Sequence, residues 1–259
     1  MLLAMRLAVV GKGGVGKSVI AGTLARVLAR RGYRVLALDS DPLPGLTFSL
    51  GADAPAEPPL MAAAERDEKK RWHLVKGVGA VRAVQRYATD APDGIRLLQI
   101  GKVTREGMSP FMAANQAFWI IIRRLGREAA FRDWVILGDL PAGPRQTAFG
   151  WAPYAERFLL VVEPTWQSML TARRIIRILK ADESTAEMLL VVNKVTGDAD
   201  AKRVGDFLEL PVFATVPVDE GVRSSERAGT ALIDHAPDSA AVAAVERLAD
   251  RLERSTIAR

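Results

Sequence analysis

The chain has 259 residues, 49% of them hydrophobic, with 36 lysines and arginines against 30 aspartates and glutamates, a formal net charge of +6. This length and apolar content allow a full core and suit one large α/β domain or two small ones, of which one domain is preferred. With no cysteine, disulfides, thiolate metal sites and cysteine nucleophiles are excluded, and the only histidines, His73 and His235, lie too far apart for a His-rich metal centre.

The opening MLLAMRLAVV is too short for a signal peptide, and no apolar stretch reaches the roughly 18 residues a membrane span needs, so a soluble, cytoplasmic protein is expected. Leu7 to Val10 is a short β-rich run that ends at glycines. SVIAGTLARVLARRG follows with helical spacing and a stop at Gly32, and YRVLALDSD is a second strand, completing a βαβ unit. Gly51 to Trp72 is rich in alanine, proline and charge and reads as a loop or mobile excursion. Further apolar runs are GIRLLQIG, WVILGDLP, RFLLVVEP, EMLLVVNK and PVFATVPV, with helical stretches such as SMLTARRIIRILKA between several of them. Continuous rather than alternating apolar strands mean a sheet covered on both faces. The fold class is therefore α/β: a doubly wound, mostly parallel sheet with helices on both faces. A single domain is expected over residues 1–259, closed by a helix at about 237–255. That helix places Val242, Val245, Leu248, Ala249 and Leu252 on one face, a narrow aliphatic stripe that favours docking on the domain over a membrane-binding tail.

The run GKGGVGKS, Gly11 to Ser18, fits GxxxxGK[ST] through Gly11, Gly16, Lys17 and Ser18, and it lies between a strand and a helix as the mechanism requires. Its glycines let backbone N–H groups face phosphate oxygens. Lys17 reaches the β- and γ-phosphates, the Ser18 hydroxyl joins the Mg²⁺ shell, and the helix start adds positive potential. The phosphate-binding candidates are Gly11, Gly13, Gly14, Val15, Gly16, Lys17, Ser18 and Val19. A ligand-free glycine turn is the bland alternative. A dinucleotide fingerprint would not place Lys-Ser after the last glycine. VVNKVTGD ends a strand with Asn193-Lys194, but a guanine reader of the NKxD type needs aspartate where Thr196 stands, so ATP is preferred over GTP.

Lys12 is one lysine more than such a loop needs, and the run KGGVGKS resembles the deviant Walker A motif of the MinD/ParA class of P-loop ATPases, of the SIMIBI type. The resemblance implies that Lys12 crosses a dimer interface to the partner's nucleotide, so that the homodimer depends on ATP; a solvated loop lysine is the alternative. LDSDP resembles switch I of that class, implying Asp39 near the Mg²⁺ waters and Asp41 orienting the attacking water, with a helix cap as the other role for Asp41. WVILGDLPAG resembles Walker B and switch II, with Asp139 for the Mg²⁺ shell and Pro141 and Gly143 in a loop that senses the γ-phosphate. Gly138 departs from it, standing where the class usually has an apolar side chain. By the same resemblance Asn193, beside Lys194, contacts adenine, and Pro217, Val218 and Asp219 close over the base; Asp219 could equally cap the following helix.

Within the class, the chain most resembles the accessory ATPases that help insert nickel into carbon monoxide dehydrogenase, over most of its length except roughly Gly51 to Asp93. Their metal-binding Cys-x-Cys pair is missing: EGMSPFM, with Met108, Ser109 and Pro110, stands in its place. The first reading is therefore an ATP-driven dimerisation switch acting on an unidentified client protein without carrying metal, with Met108, Phe111 and Met112 as client contacts. The alternative is a ParA-like ATPase holding DNA through Arg123, Arg124, Arg127, Arg173, Arg174 and Arg177. A small-molecule kinase or ligase is disfavoured by Lys12.

Overall fold

The computed structural model describes residues 4–43, 45–102, 108–144, 150, 152–181 and 185–257. Its first strand, β1 (Met5–Gly11), is buried at every position, as its unalternating sequence requires. Beyond the glycine loop, α1 (Lys17–Arg30) ends in a Schellman turn: Gly32 stands at φ +90°, and its N–H and that of Tyr33 return to the carbonyls of Ala29 and Leu28. The chain then forms β2 (Val35–Asp39), α2 (Gly45–Leu50), β3 (Ala64–Arg66), β4 (Trp72–Leu74), α3 (Ala80–Tyr87), β5 (Thr89–Ala91) and β6 (Ile95–Gln99). It continues through α4 (Met108–Leu125), β7 (Val135–Asp139), β8 (Arg157–Val162), α5 (Trp166–Ala181) and β9 (Glu187–Val195). The last elements are α6 (Asp198–Leu208), β10 (Val212–Pro217), α7 (Glu220–Ala228), α8 (Leu232–His235) and α9 (Ala240–Ile257).

Eight strands make one sheet in the order β10-β9-β8-β1-β7-β2-β6-β5. They pair in parallel except at the edge, where β5 runs antiparallel to β6. Successive side chains of a strand enter opposite layers. On β7, Val135 and Leu137 join a core with Leu24 and Leu28 of α1 and Leu248 of α9, while Ile136 joins one with Phe118 of α4 and Ile175 of α5. Both faces are thus covered, which is why these strands are apolar throughout. The parallel strands all point their C-terminal ends to one edge, where the crossovers leave room for ligands.

Two expectations need correction. Gly51 to Trp72 is not simply a loop or mobile excursion: it contains β3 and runs into β4, an antiparallel pair that packs on α4. The buried anchors Leu60, Ala63 and Ala64 are small or isolated among exposed charges, so no periodicity announces these short strands. The final helix starts at Ala240 and reaches Ile257, somewhat later than expected, and all five residues of its apolar stripe are buried against the domain. Among the described residues no helix is long and apolar enough to cross a membrane.

Candidate nucleotide-binding site

The glycine loop joins β1 to α1 at the C-terminal edge of the sheet. Two of its glycines are required by close packing: a Cβ on Gly11 would come within 2.4 Å of the Val161 carbonyl oxygen of β8, and one on Gly16, at φ +89°, within 2.4 Å of the Asn193 amide nitrogen. Lys17 begins α1 and is 8% exposed. Its ammonium donates to the Lys12 carbonyl at 3.3 Å, leaving further donor capacity for an anion. Burial lowers its pKa, opposed by the negative charges of Asp139 and Asp41. Lys12 itself is half-buried, its ammonium in no ion pair among the described residues.

Asp39 and Asp139 are register partners on β2 and β7, which puts two carboxyls side by side at the ends of adjacent strands. Burial raises the pKa of Asp39 to about 7, helped by the charge of Asp139 and opposed by hydrogen bonds from Asp41 and Thr47. Burial likewise raises Asp139 to about 6, against the Ser18 hydrogen bond and the charge of Lys17. Their surroundings differ. The Asp39 oxygens accept from the Asp41 N–H at 3.2 Å and from Thr47 through its N–H at 3.2 Å and its hydroxyl at 3.1 Å, so Asp39 braces the start of α2. On Asp139, Oδ2 accepts from the Ser18 hydroxyl while Oδ1 is buried without a hydrogen-bond partner among the described residues. A buried, unsatisfied carboxylate oxygen is costly unless a cation meets it. A hard divalent ion with oxygen ligands fits this donor set, with Ser18 and Asp139 as the residues to hold it and Asp39 behind them. Asp41 is partly buried, and its Oδ1 accepts from the Leu43 N–H at 2.9 Å, an Asx turn.

A cleft of about 880 Å³ opens beside the loop. Gly14, Gly16, Lys17, Ser18, Val19, Asn193, Lys194, Pro217, Val218 and Asp219 all line it, so the loop and the expected base end meet in one cavity. Gly11, Lys12, Gly13, Val15, Asp39, Asp41 and Asp139 are not in its wall: Val15 is a core residue, and Asp139 reaches the cleft through Ser18. Asn193 is 7% exposed and donates through Nδ2 to the Val15 carbonyl at 2.7 Å, which turns its Oδ1 to serve as an acceptor. Lys194, at φ +59°, donates to the Gly14 carbonyl at 2.7 Å and to Glu163 at 3.1 Å, latching the loop to the ends of β8 and β9. Thr196, in the position a guanine reader gives to aspartate, turns its N–H and hydroxyl to Asp200. Asp219 is a cap twice over: it accepts from Gly221 N–H at the start of α7 and from Ala241 N–H in the first turn of α9, each at 2.7 Å.

Sequence reasoning missed Thr47, whose hydroxyl oxygen lies 3.2 Å from the Gln99 side-chain oxygen as well as beside Asp39, and Glu163, the partner of Lys194. Neither belongs to a motif. Glu163 directly before Pro164 at the end of an apolar strand was the only available signal. Met108 opens α4 and is exposed, Phe111 and Met112 are half-buried, and Glu106 and Gly107 lie outside the described residues.

A parallel sheet whose first strand feeds a GKGGVGKS loop and helix, with carboxyls ending two further strands beside it, defines a P-loop nucleotide-binding protein. The chain belongs to the CobQ/CobB/MinD/ParA nucleotide binding domain family, whose profile matches residues 7–243. An uncharacterized ATP-binding protein of Methanocaldococcus jannaschii is 30% identical over 237 residues, covering 87% of this chain and 90% of that one. The carbon monoxide dehydrogenase accessory protein CooC of Rhodospirillum rubrum is 27% identical over 243 residues, covering 90% of this chain and 91% of its own. In structure, the cell division ATPase MinD of Pyrococcus furiosus superposes with a TM-score of 0.72 at 25% identity, covering 96% of this chain and 99% of the other.

Proposed function

We propose that this chain is a slow Mg²⁺-dependent ATPase that pairs with a second copy of itself when loaded and acts as a switch on a client protein. The observation that carries the reading is Asp139, one oxygen on the Ser18 hydroxyl and the other buried and unpartnered among the described residues, beside the buried Lys17. Bound there, Mg²⁺ would draw charge from the β- and γ-phosphate oxygens. Lys17 holds the phosphates, the loop N–H groups surround them, and Asp41 orients the attacking water. With Nδ2 of Asn193 on the Val15 carbonyl and no described donor on its Oδ1, that oxygen suits the amino group of adenine better than the carbonyl of guanine. Lys12, in no ion pair with another described residue, supplies a charge for a partner's nucleotide. Protein contacts fit the same edge: Leu43, Phe48, Met108, Trp166 and Val218 are exposed large apolar residues that follow the C-terminal ends of β2, β6, β8 and β10. Without a cysteine, the chain acts on its client without carrying a thiolate-bound metal. Phosphate release is the test: slow turnover of ATP in excess of GTP, lost with EDTA, is expected, and equal turnover of both or insensitivity to EDTA overturns the reading.

One observation favours non-specific DNA binding as a second reading. Arg123, Arg124, Arg127, Arg173, Arg174 and Arg177 are all exposed on the α4 and α5 side of the sheet, and none is in an ion pair with another described residue. On the opposite side Arg26 and Arg31 are paired with carboxylates. If DNA lies on this face, changing Arg173, Arg174 and Arg177 to glutamine weakens duplex binding and flattens its salt dependence by about 0.9 in log-log slope for each phosphate that is no longer neutralised. Unchanged duplex affinity removes this reading and leaves the first intact.

A further inference from the structure

Gly138, the departure from the Walker B pattern, has a physical cause on the face of β7 turned away from Ser18. A Cβ at this position would lie 1.8 Å from the Tyr154 hydroxyl oxygen and 3.0 Å from its Cζ. The phenol thus occupies the volume that a side chain at 138 would fill. Tyr154 is 4% exposed and belongs to the core layer of α4 and α5, whereas α1, which carries Ser18, packs in the other. Its Cα stands 3.6 Å from where a Cβ on Gly126 would be, just past the end of α4. The side chain therefore spans from the end of α4 to the strand position immediately before Asp139. Burial and, next, the charge of Asp139 raise its pKa, so the hydroxyl stays protonated.

We infer that Tyr154 is a positioning residue for Asp139: seated in the hole at Gly138, it braces β7 from below so that Asp139 keeps one oxygen on Ser18 and the other free for a cation. The inference rests on the reading that Asp139 and Ser18 hold the divalent ion of a bound nucleotide. In a close-packed interior the strand cannot move toward the phenol without a clash, nor away from it without opening a void. A side chain at 138 and the phenol at 154 are mutually exclusive, and the pair should behave as lock and hole in mutagenesis.

The test compares Gly138→Ala, Tyr154→Leu and the double variant with the wild type by calorimetric titration of ATP, once with Mg²⁺ and once with EDTA, alongside thermal melting. Gly138→Ala is expected to lose about 10–100-fold of the affinity gained from Mg²⁺, the scale of defects in groups that orient metal ligands, while ATP affinity in EDTA stays near that of wild type. The double variant, which exchanges one bulk for the other, is expected to recover most of the Mg²⁺ gain. A merely structural role would lower the melting point and both affinities together. Should Gly138→Ala fail to fold, Tyr154→Leu carries the test, with the same loss confined to the Mg²⁺ arm. Equal loss in both arms, an unchanged Mg²⁺ gain in the single variants, or a double variant no better than Gly138→Ala overturns the inference. A wild type that gains nothing from Mg²⁺ overturns the underlying reading too, and that failure shows before any variant is measured.

Discussion

Lys17→Ala removes nucleotide binding, whereas Asp41→Ala binds ATP and does not turn it over. Lys17 is nearly buried, and its described hydrogen-bond acceptor is the carbonyl of Lys12 in its own loop. Truncating one partner of a desolvated charge pair costs about 2–5 kcal/mol, so a loss on the order of 10²–10³-fold in ATP affinity is expected. Asp41 touches no other element through a described side-chain hydrogen bond, its Oδ1 being turned to its own loop. Its removal leaves the cradle intact, and the loss of water orientation slows turnover by roughly 10²-fold or more. Calorimetry and phosphate release separate the two, and wild-type turnover in Asp41→Ala removes its assignment. The sign of the pH dependence follows from the raised pKa values of Asp39, about 7, and Asp139, about 6. Below these values the empty site holds protons that a cation must displace. Mg²⁺ affinity therefore climbs as pH rises through 6 to 7 and levels off above.

Lys12→Ala stays folded and binds ATP but remains a monomer. The carbonyl of Lys12, not its side chain, serves the cradle, accepting from Lys17 at 3.3 Å, so truncating the side chain leaves the loop geometry in place. Its half-buried ammonium, in no ion pair with another described residue, is placed to meet a charge outside the chain. Losing such an interaction across an interface weakens association by about 2–5 kcal/mol, or roughly two decades or more in dissociation constant. Light scattering with and without ATP reads the outcome, using Asp41→Ala as the long-lived loaded state that reports the dimer. A Lys12→Ala protein that dimerises with ATP as well as wild type does rules out bridging.

The parts of the site legible in the sequence are those whose chemistry is local. Gly11 to Ser18 are contiguous, and a strand before and a helix after suffice to orient them. Asp139 and Asn193 were identifiable because WVILGDLPAG and VVNKVTGD resemble motifs of the MinD/ParA class, and the strands that carry them, β7 and β9, run in parallel to one edge of the sheet. Asp219 was ambiguous for a reason: a carboxylate before a helix caps it whether or not a ligand is near. Its second bond, to Ala241 on a helix 22 positions away, exists only once α9 has docked. The hairpin of β3 and β4 was hidden because its strands are too short and too charged to show a period.

By itself the sequence determined the βαβ alternation, the two-sided burial of the sheet and the phosphate loop, because each depends on neighbouring residues and on the fixed periods of helix and strand. It also excluded thiolate chemistry. The division of labour among the carboxylates was decided only by tertiary structure. Asp39 and Asp139 look alike in the chain, yet Thr47 satisfies one, while burial beside Ser18 leaves the other with an oxygen unpaired among the described residues. The meaning of Gly138 was decided there too: its missing side chain matters because Tyr154, distant in sequence, must fill that volume, and close packing couples residues that no local pattern relates.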